Sequence, residues 1–259
     1  MAQSSSAPSS DPWKRVRYTA PSGSPFIFYV VFGADLSKLA VSREAHNVDG
    51  KPAELDIVVY SKSAGDEQRN YIEGFYADYL GAVLKSKSPA LHKKVIACND
   101  VAVIRGEFED SDSLSYLKNS IGITQAVLET GAAAILDLQT IQWFDPAEWT
   151  KKFFDPKSPV PHEHVWIYTS KDGNGAWLHT RGMRTFGRPD ISIRNVSEPA
   201  YERGIEIINR FIEAYAYGLA VDAAKEIRIE GMGKAASSSY DGDFENFDFN
   251  NRHIEIEGI

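Results

Sequence analysis

The stretch Phe26-Ile27-Phe28-Tyr29-Val30-Val31-Phe32 is a dense run of aromatic and β-branched residues, and Gly33 closes it. Residues of these two kinds are enriched in strands, so the run predicts a buried strand. Leu55-Asp56-Ile57-Val58-Val59-Tyr60 is a second such run, and Val101 to Phe108 is a third. The first half of the chain therefore predicts at least part of a β-sheet.

Helical periodicity begins soon after the second predicted strand. Between about Glu67 and Leu84, apolar side chains recur at three- and four-residue intervals, which places them on one face of a single amphipathic helix: Ile72, Phe75, Tyr76, Tyr79, Leu80 and Val83. A long final helix is predicted from Pro199 to about Val221, with Ser197 as its N-cap candidate.

Residues 101–138 predict a strand-helix-strand unit. Asp110 or Ser111 is expected to cap a helix that runs to about Thr130, where Gly131 can end it. Ala132 to Leu138 then form a short apolar strand. If the two strands of this unit are parallel, the crossover between them should be right-handed.

The second half of the chain adds further strands and helices. Asp145-Pro146 is typical of a helix cap followed by proline at the first helical position, and a short helix to about Phe154 is expected. The segments His164 to Thr169 and Ala176 to Arg181 flank Asp172-Gly173-Asn174-Gly175, which favours a hairpin. The whole pattern predicts an α+β fold in which amphipathic helices pack on a mixed β-sheet, with duplication of a ferredoxin-like unit as an open alternative.

Composition divides the 259 residues into three regions. Residues 1–12 are rich in Ser and Ala and are predicted to be disordered, and residues 235–259 form an acidic, aromatic C-terminal tail. Both ends are expected to be mobile. Residues 13–234 between them are predicted to be a single α+β domain, with a subdivision near residues 90–100 left open.

Charge and cysteine content narrow the classes of partner and compartment. The net charge of −8 disfavours a nucleic-acid partner, because phosphate neutralisation needs clustered Lys and Arg. Cys98 is the only cysteine and cannot form an internal disulfide, so a reducing cytoplasm is expected. No signal peptide is recognisable, and no apolar run reaches the ~20 residues of a membrane-spanning helix, so no membrane partner is expected.

Three segments in order carry a family resemblance. They are the strand Gly131-Ala132-Ala133-Ala134-Ile135-Leu136-Asp137 followed by Trp143, the strand Val165-Trp166-Ile167, and the segment Thr180 to Ile193, which contains Thr180-Arg181-Gly182 and Phe186-Gly187-Arg188-Pro189-Asp190. This pattern resembles that of a bacterial domain-of-unknown-function family, over roughly residues 101–221. The resemblance implies no established reaction, cofactor or catalytic residue. Gly182 and Gly187 also have a structural explanation, because glycine adopts backbone angles that other residues avoid.

Two groups of side chains are candidates for metal or acid-base chemistry. His162 and His164 would lie on the same side of an extended segment, and a metal site would need His179 or Asp137 as a third ligand. Symmetric hairpin pairing places His179 nearer to Tyr168. Asp137, Asp145 and Glu148 lie close in sequence near the end of an apolar strand, where they are candidates for catalytic acids and bases or for metal ligands. The structural alternative makes Asp145 a helix cap, Glu148 a first-turn acid and the histidines a polar strand entry.

Arginine and aromatic residues supply the candidates for ligand binding. Arg181, Arg184 and Arg188 flank Gly182 and Gly187, so this turn is a candidate anion site, with solvent exposure or pairing to acids as the alternative. The middle of the chain is rich in aromatic side chains, which indicate either core or a binding groove: Trp143, Trp149, Trp166, Trp177, Phe144, Phe153 and Phe154. No Walker-type loop or dinucleotide glycine pattern occurs, and no cofactor is expected.

The sequence favours a non-catalytic binding or interaction module over an enzyme. Its partner is expected to be an unidentified protein or small-molecule ligand, and a homo-oligomer in which the tail occupies a neighbouring subunit is a further hypothesis. The alternative is a metal-dependent or acid-base hydrolase that uses the Asp and His candidates. Cys98 lacks a neighbouring base apart from His92 and is expected to be a buried small side chain rather than a nucleophile.

Overall fold

The computed structural model describes residues 11–220, 227–229, 233–240 and 248–257. The described α-helices are α1 (Arg43–His46), α2 (Asp66–Gly74), α3 (Asp78–Lys87), α4 (Pro89–Ala97), α5 (Ser115–Leu128), α6 (Pro146–Trp149) and α7 (Tyr201–Ala216). The described strands are β1 (Phe26–Phe32), β2 (Leu55–Ser61), β3 (Asp100–Glu107), β4 (Ala134–Asp137), β5 (Gln142–Phe144), β6 (Trp166–Asp172), β7 (Gly175–Arg181), β8 (Asp190–Val196), β9 (Ile227–Ile229), β10 (Gly233–Tyr240) and β11 (His253–Glu257).

The first sheet is antiparallel and has the order β2-β3-β1-β4-β5. Strand β1 lies at its centre, and its predicted range is confirmed. Strands β3 and β4 both run antiparallel to β1 on its two sides, so they run in the same direction and are joined by α5. The predicted strand-helix-strand unit is therefore present, with β1 between its two strands.

The second sheet is mixed and has the order β6-β7-β8-β11-β10-β9. Strands β6 and β7 form the predicted hairpin, in which Tyr168 pairs with His179 as expected. Strand β11 runs parallel to β8, whereas the other pairs are antiparallel. The α+β fold is confirmed. The two sheets differ in strand number and order, and the ferredoxin-like duplication is not confirmed.

One hydrophobic core joins the two sheets. It contains Ile27 and Tyr29 of the first sheet, Leu178 and Ile193 of the second, and apolar side chains of α5 and α7, including Ile208. A separate core covers the other face of the first sheet with side chains from α2, α3 and α4. Both faces of the first sheet are thus packed, and α7 packs on one face of the second sheet. The shared core packs the two sheets against each other through α5 and α7.

The single helix predicted between Glu67 and Leu84 is wrong. The chain forms α2 and α3 instead, and it breaks between them at Gly74 to Asp78, where Asp78 has a positive φ of 44°. The backbone of α3 passes very close to the turn that precedes it. Only glycine fits at position 81, because a Cβ atom there would lie 1.9 Å from the carbonyl oxygen of Tyr76. The apolar spacing continues through the break, so periodicity did not reveal it.

Other helix ends match the predictions more closely. Asp145 caps α6 by accepting a hydrogen bond from the backbone N–H of Glu148 at 2.8 Å, as expected. The helix continues through Phe154 as a π-helical turn, Thr150–Phe154. A 3₁₀ turn, Glu198–Ala200, follows Ser197 and leads into α7, but the Ser197 side chain makes no capping hydrogen bond.

The expected cap of α5 is wrong for both candidates. The helix begins at Ser115 after Leu114, and neither Asp110 nor Ser111 supplies its capping hydrogen bond; Ser113 Oγ accepts one from the backbone N–H of Ser115 at 3.1 Å. Asp110 is buried and accepts hydrogen bonds from the guanidinium groups of Arg15 and Arg188. Ser111 instead accepts a hydrogen bond from the backbone N–H of Ser113. Two buried cations thus draw the carboxylate of Asp110 away from the helix terminus.

The structure describes only parts of the two ends that were expected to be mobile. Trp13 and Arg15, which follow the predicted N-terminal segment, are buried. At the other end, β11 pairs with β8 in the second sheet, and Asn251 donates hydrogen bonds to the backbone oxygen of Arg188 and to Asp190. Within these two ends, residues 1–10, 241–247 and 258–259 lie outside the described residues. Across the described ranges, no helix has both the length and the apolar character needed to cross a bilayer.

Candidate functional site

One face of the second sheet carries polar and aromatic side chains, which we call the polar face. Because side chains alternate along a strand, Leu178, Ile193 and Ile254 point to the core while their neighbours point to the opposite side. The polar face is formed by Tyr168 of β6, Trp177, His179 and Arg181 of β7, Asp190, Ser192 and Arg194 of β8, and His253 and Glu255 of β11. The parallel pairing of β8 with β11 brings the C-terminal strand into this surface.

Aromatic rings stack across the polar face in a continuous group. The ring of His179 lies 4.2 Å from that of Trp177 and 5.6 Å from that of Tyr168, nearly parallel to both. Phe249 packs 5.3 Å from His179 and stacks 3.7 Å from His253. The indole N–H of Trp177 donates a hydrogen bond to Ser192 Oγ at 2.8 Å, which fixes the direction of the ring.

A cavity of about 660 Å³ opens at this group, and we call it the aromatic cavity. Its volume lies within the range of small-molecule sites, about 300 to 1,000 Å³. The residues that line it are Trp177, Arg194, Asp248, Phe249, His253, Glu255 and Glu257. The guanidinium group of Arg194 lies over the Trp177 ring, 4.1 Å from its centroid. The cavity thus combines flat aromatic surface with charged groups.

Burial shifts the pKa values of two histidines and one glutamate in and beside the cavity. Burial lowers the pKa of His179 to about 4 and the pKa of His253 to about 4, so both imidazoles are neutral at physiological pH. The Asp248 carboxylate, 3.9 Å from His179, opposes this shift but does not overcome it. Burial also raises the pKa of Glu255. Nδ1 of His179 is buried and has no hydrogen-bond partner within the described part of the chain.

The three histidines proposed as metal ligands occupy separate environments. Residues Pro161–Glu163 form a 3₁₀ turn and His164 has helical backbone angles, so the expected extended arrangement of His162 and His164 is wrong. His162 pairs with Glu213 of α7 at 2.9 Å, and His164 is buried between Phe153 and Phe186. In residues 11–220 and the described C-terminal segments, no group of three His, Cys, Asp or Glu side chains is arranged to hold a metal ion.

Each of the three carboxylates proposed for acid-base chemistry has a structural explanation. Asp137 is buried and accepts hydrogen bonds from the backbone N–H of Gln139 and from Thr140 Oγ1, at 2.8 and 2.9 Å. Burial raises the pKa of Asp137 to about 6. Asp145 is exposed and caps α6, with Glu148 in the first turn of that helix. The structure thus separates a buried carboxylate from two acids at a helix start.

The three arginines of the glycine turn contact groups within the protein. Arg181 donates to the backbone oxygens of Gln139 and Leu138, and Arg188 contacts Asp110. Arg184 lies over the ring of Phe26, 4.2 Å from its centroid. The expected anion site at this turn gains no support from these contacts.

The backbone prediction for the same turn is confirmed. Gly182 and Gly187 have φ values of 110° and 67°. A Cβ atom on Gly182 would lie 2.2 Å from the carbonyl oxygen of His164, so this position excludes larger residues. Gly182 and Gly187 therefore allow the backbone conformation that connects β7 to β8.

The aromatic residues of the middle region divide between core and surface. Trp143 and Trp149 are buried, as are Phe144 and Phe153, whereas Trp166 is 46% exposed. Trp177 alone among these tryptophans lines the cavity. Cys98 is half-buried, and burial raises the pKa of its thiol, which disfavours the reactive thiolate.

Sequence reasoning missed Arg194, His253 and Glu255 as site residues. The alternation in Asp190-Ile191-Ser192-Ile193-Arg194 and in His253-Ile254-Glu255-Ile256-Glu257 was available as a signal of strands with one polar face. The pairing of these two segments was not available, because they are far apart in sequence and adjacent in the sheet.

Comparison of the chain with known protein families, with curated proteins and with solved structures finds no match.

Proposed function

We propose that this protein is a non-catalytic binding module and that the aromatic cavity is its ligand-binding site. The observation that carries the proposal is the cavity of about 660 Å³, with an oriented tryptophan in its wall. Aromatic walls combined with a few charged groups are typical of small-molecule sites. Nδ1 of His179, which has no hydrogen-bond partner among the described residues, lies in the ring stack beside this wall and supports a role beyond packing.

The hydrolase alternative has weaker support. The Asp137 carboxylate accepts hydrogen bonds from Gln139 and Thr140 of the turn that follows it, and Asp145 caps α6. Neither lines the aromatic cavity. A catalytic pair would need two such groups facing one substrate position.

Two further proposals concern the family of the protein and its location in the cell. The ordered resemblance over residues 101–221 supports membership of the bacterial family of unknown function. The single cysteine, Cys98, supports a cytoplasmic location, since it cannot form a disulfide within the chain.

The proposal is tested by a ligand-observed NMR screen of small charged, neutral and aromatic molecules. The screen compares the wild-type protein with Trp177→Ala and with Trp166→Ala. Trp166 is a matched control, because it is an exposed tryptophan of the same sheet that does not line the cavity. We expect hits that bind the wild type and Trp166→Ala and are lost in Trp177→Ala. A screen in which no hit depends on Trp177 would overturn the proposal.

A further inference from the structure

We propose that the aromatic cavity binds a small organic cation whose charged group is planar, an amidinium or a guanidinium. The inference rests on the proposed function, since it names the ligand class of the same cavity. The proposal is carried by the contacts of Arg194, by the charges that line the cavity and by the fixed direction of the Trp177 ring.

Arg194 shows how the cavity holds a planar cation. Its guanidinium carbon lies 4.1 Å from the centroid of Trp177, within the ~6 Å range of cation–π attraction. Its Nη1 atom lies 3.8 Å from Asp172, and its Nε atom lies 3.9 Å from Glu255. Both distances are longer than a hydrogen bond, and the side chain is 48% exposed. The group is therefore held loosely enough for a ligand to replace it.

The charges around the cavity favour a cation over an anion. Among the side chains that the structure describes, those that line the cavity carry three carboxylates, on Asp248, Glu255 and Glu257, and one guanidinium group, on Arg194. The imidazole of His253 adds no positive charge at physiological pH, because burial lowers its pKa to about 4. An incoming carboxylate would meet more like charges than opposite ones, whereas an incoming amidinium would meet the reverse.

The Trp177 ring supplies a rigid surface for the ligand. The hydrogen bond to Ser192 and the stacked His179 hold the indole in place before any ligand arrives. A ligand amidinium would take the position of the Arg194 guanidinium between the indole and Glu255. Arg194 is then an internal competitor, and its removal should strengthen the binding of a cation while it weakens the binding of an anion.

The test uses three probes of nearly the same shape and different charge: benzamidine, benzamide and benzoate. Each is titrated into the full-length protein, and the NMR signal of the Trp177 indole N–H gives the dissociation constant. We expect benzamidine to bind about tenfold more tightly than benzamide, and benzoate to bind more weakly than both. Benzoate or benzamide binding as tightly as benzamidine would overturn the inference while leaving the proposed function intact.

Charge-neutralising variants sharpen the test. We expect Arg194→Gln to strengthen benzamidine binding severalfold, Glu255→Gln to weaken it severalfold, and Glu54→Gln to leave it unchanged. Glu54 is an exposed glutamate that precedes β2 of the other sheet and serves as the matched control. Loss of benzamidine binding in Arg194→Gln would overturn the inference, because it would make Arg194 a ligand contact rather than a competitor.

Two further outcomes complete the experiment. If no probe shifts the Trp177 signal in either the wild type or Arg194→Gln, the inference fails, and the ligand screen with Trp177→Ala decides separately whether the proposed function stands. A blocked arginine, acetyl-arginine-methylamide, distinguishes the source of the cation. If the blocked arginine binds more tightly than benzamidine, the natural ligand is an arginine side chain of a polypeptide. If it binds more weakly, the natural ligand is a free small molecule.

Discussion

Replacing Asp110 with Asn removes the one carboxylate that two buried arginines share. The side chains of Arg15 and Arg188 are fully buried, and each donates a hydrogen bond to Asp110. Arg15 also donates to the backbone oxygens of Tyr215 and Ala216 at 3.0 Å, at the end of α7. These contacts join the start of the chain, the segment before α5 and the end of α7.

The size of the expected loss of stability follows from the two buried positive charges that remain. The side-chain amide introduced by Asp110→Asn would keep the shape of the carboxylate but not its charge, so two guanidinium groups would face each other without an anion. Breaking a buried ion pair by removal of one partner costs about 3–5 kcal/mol, and the carbonyl oxygens at the end of α7 offset only part of the repulsion. We therefore expect Asp110→Asn to lower the free energy of unfolding by about 3–5 kcal/mol.

The assay is urea-induced unfolding followed by tryptophan fluorescence and circular dichroism. Asp112→Asn is the matched control, because Asp112 is exposed and lies two residues away, and we expect it to change the free energy of unfolding by less than about 0.5 kcal/mol. A loss below about 1 kcal/mol for Asp110→Asn would refute the reasoning, because the carboxylate would then not be balancing two buried cations.

Two further predictions concern stability. Burial lowers the pKa of His164 to about 3, so the unfolded state takes up a proton below about pH 6.5 that the native state does not. The wild type should therefore lose about 2 kcal/mol more stability than His164→Leu between about pH 7 and pH 5 in urea titrations, and equal losses would contradict this. Asp137 and Asp190, whose pKa values burial raises to about 6, act in the opposite direction, but equally in both proteins. Gly182→Ala should cost about 1–3 kcal/mol more than Gly131→Ala, because both have a φ of 110° but only Gly182 has backbone within 2.2 Å of the added Cβ. Similar thermal midpoints for the two variants would show that this close contact relaxes freely.

Local signals explain which parts of the fold were predictable. Strand β1 and the β6–β7 hairpin follow from apolar runs and turn residues that lie within a few positions of each other. The break between α2 and α3 was missed because apolar spacing continues across it, although Tyr79 on the far side is 49% exposed. Periodicity reports which face is apolar and does not report where a helix folds back on itself.

The candidate site depended on long-range pairing and was mostly missed. Asp110 was read as a helix cap because a cap needs only neighbouring residues, whereas its partners Arg15 and Arg188 are remote in sequence. The aromatic cavity needs β8 and β11 side by side, and only the folded sheet brings Arg194 next to Glu255. The sequence displayed the aromatic enrichment around Trp177 and the polar–apolar alternation of the β8 and β11 segments, but not the pairing of those two segments.

The most direct test of the central claim is a crystal structure of the protein grown with saturating benzamidine. The account predicts electron density for the amidinium in the aromatic cavity, against the face of Trp177, with the Arg194 guanidinium displaced from its present position. A cavity without benzamidine at saturation, with Arg194 still stacked on Trp177, would contradict it.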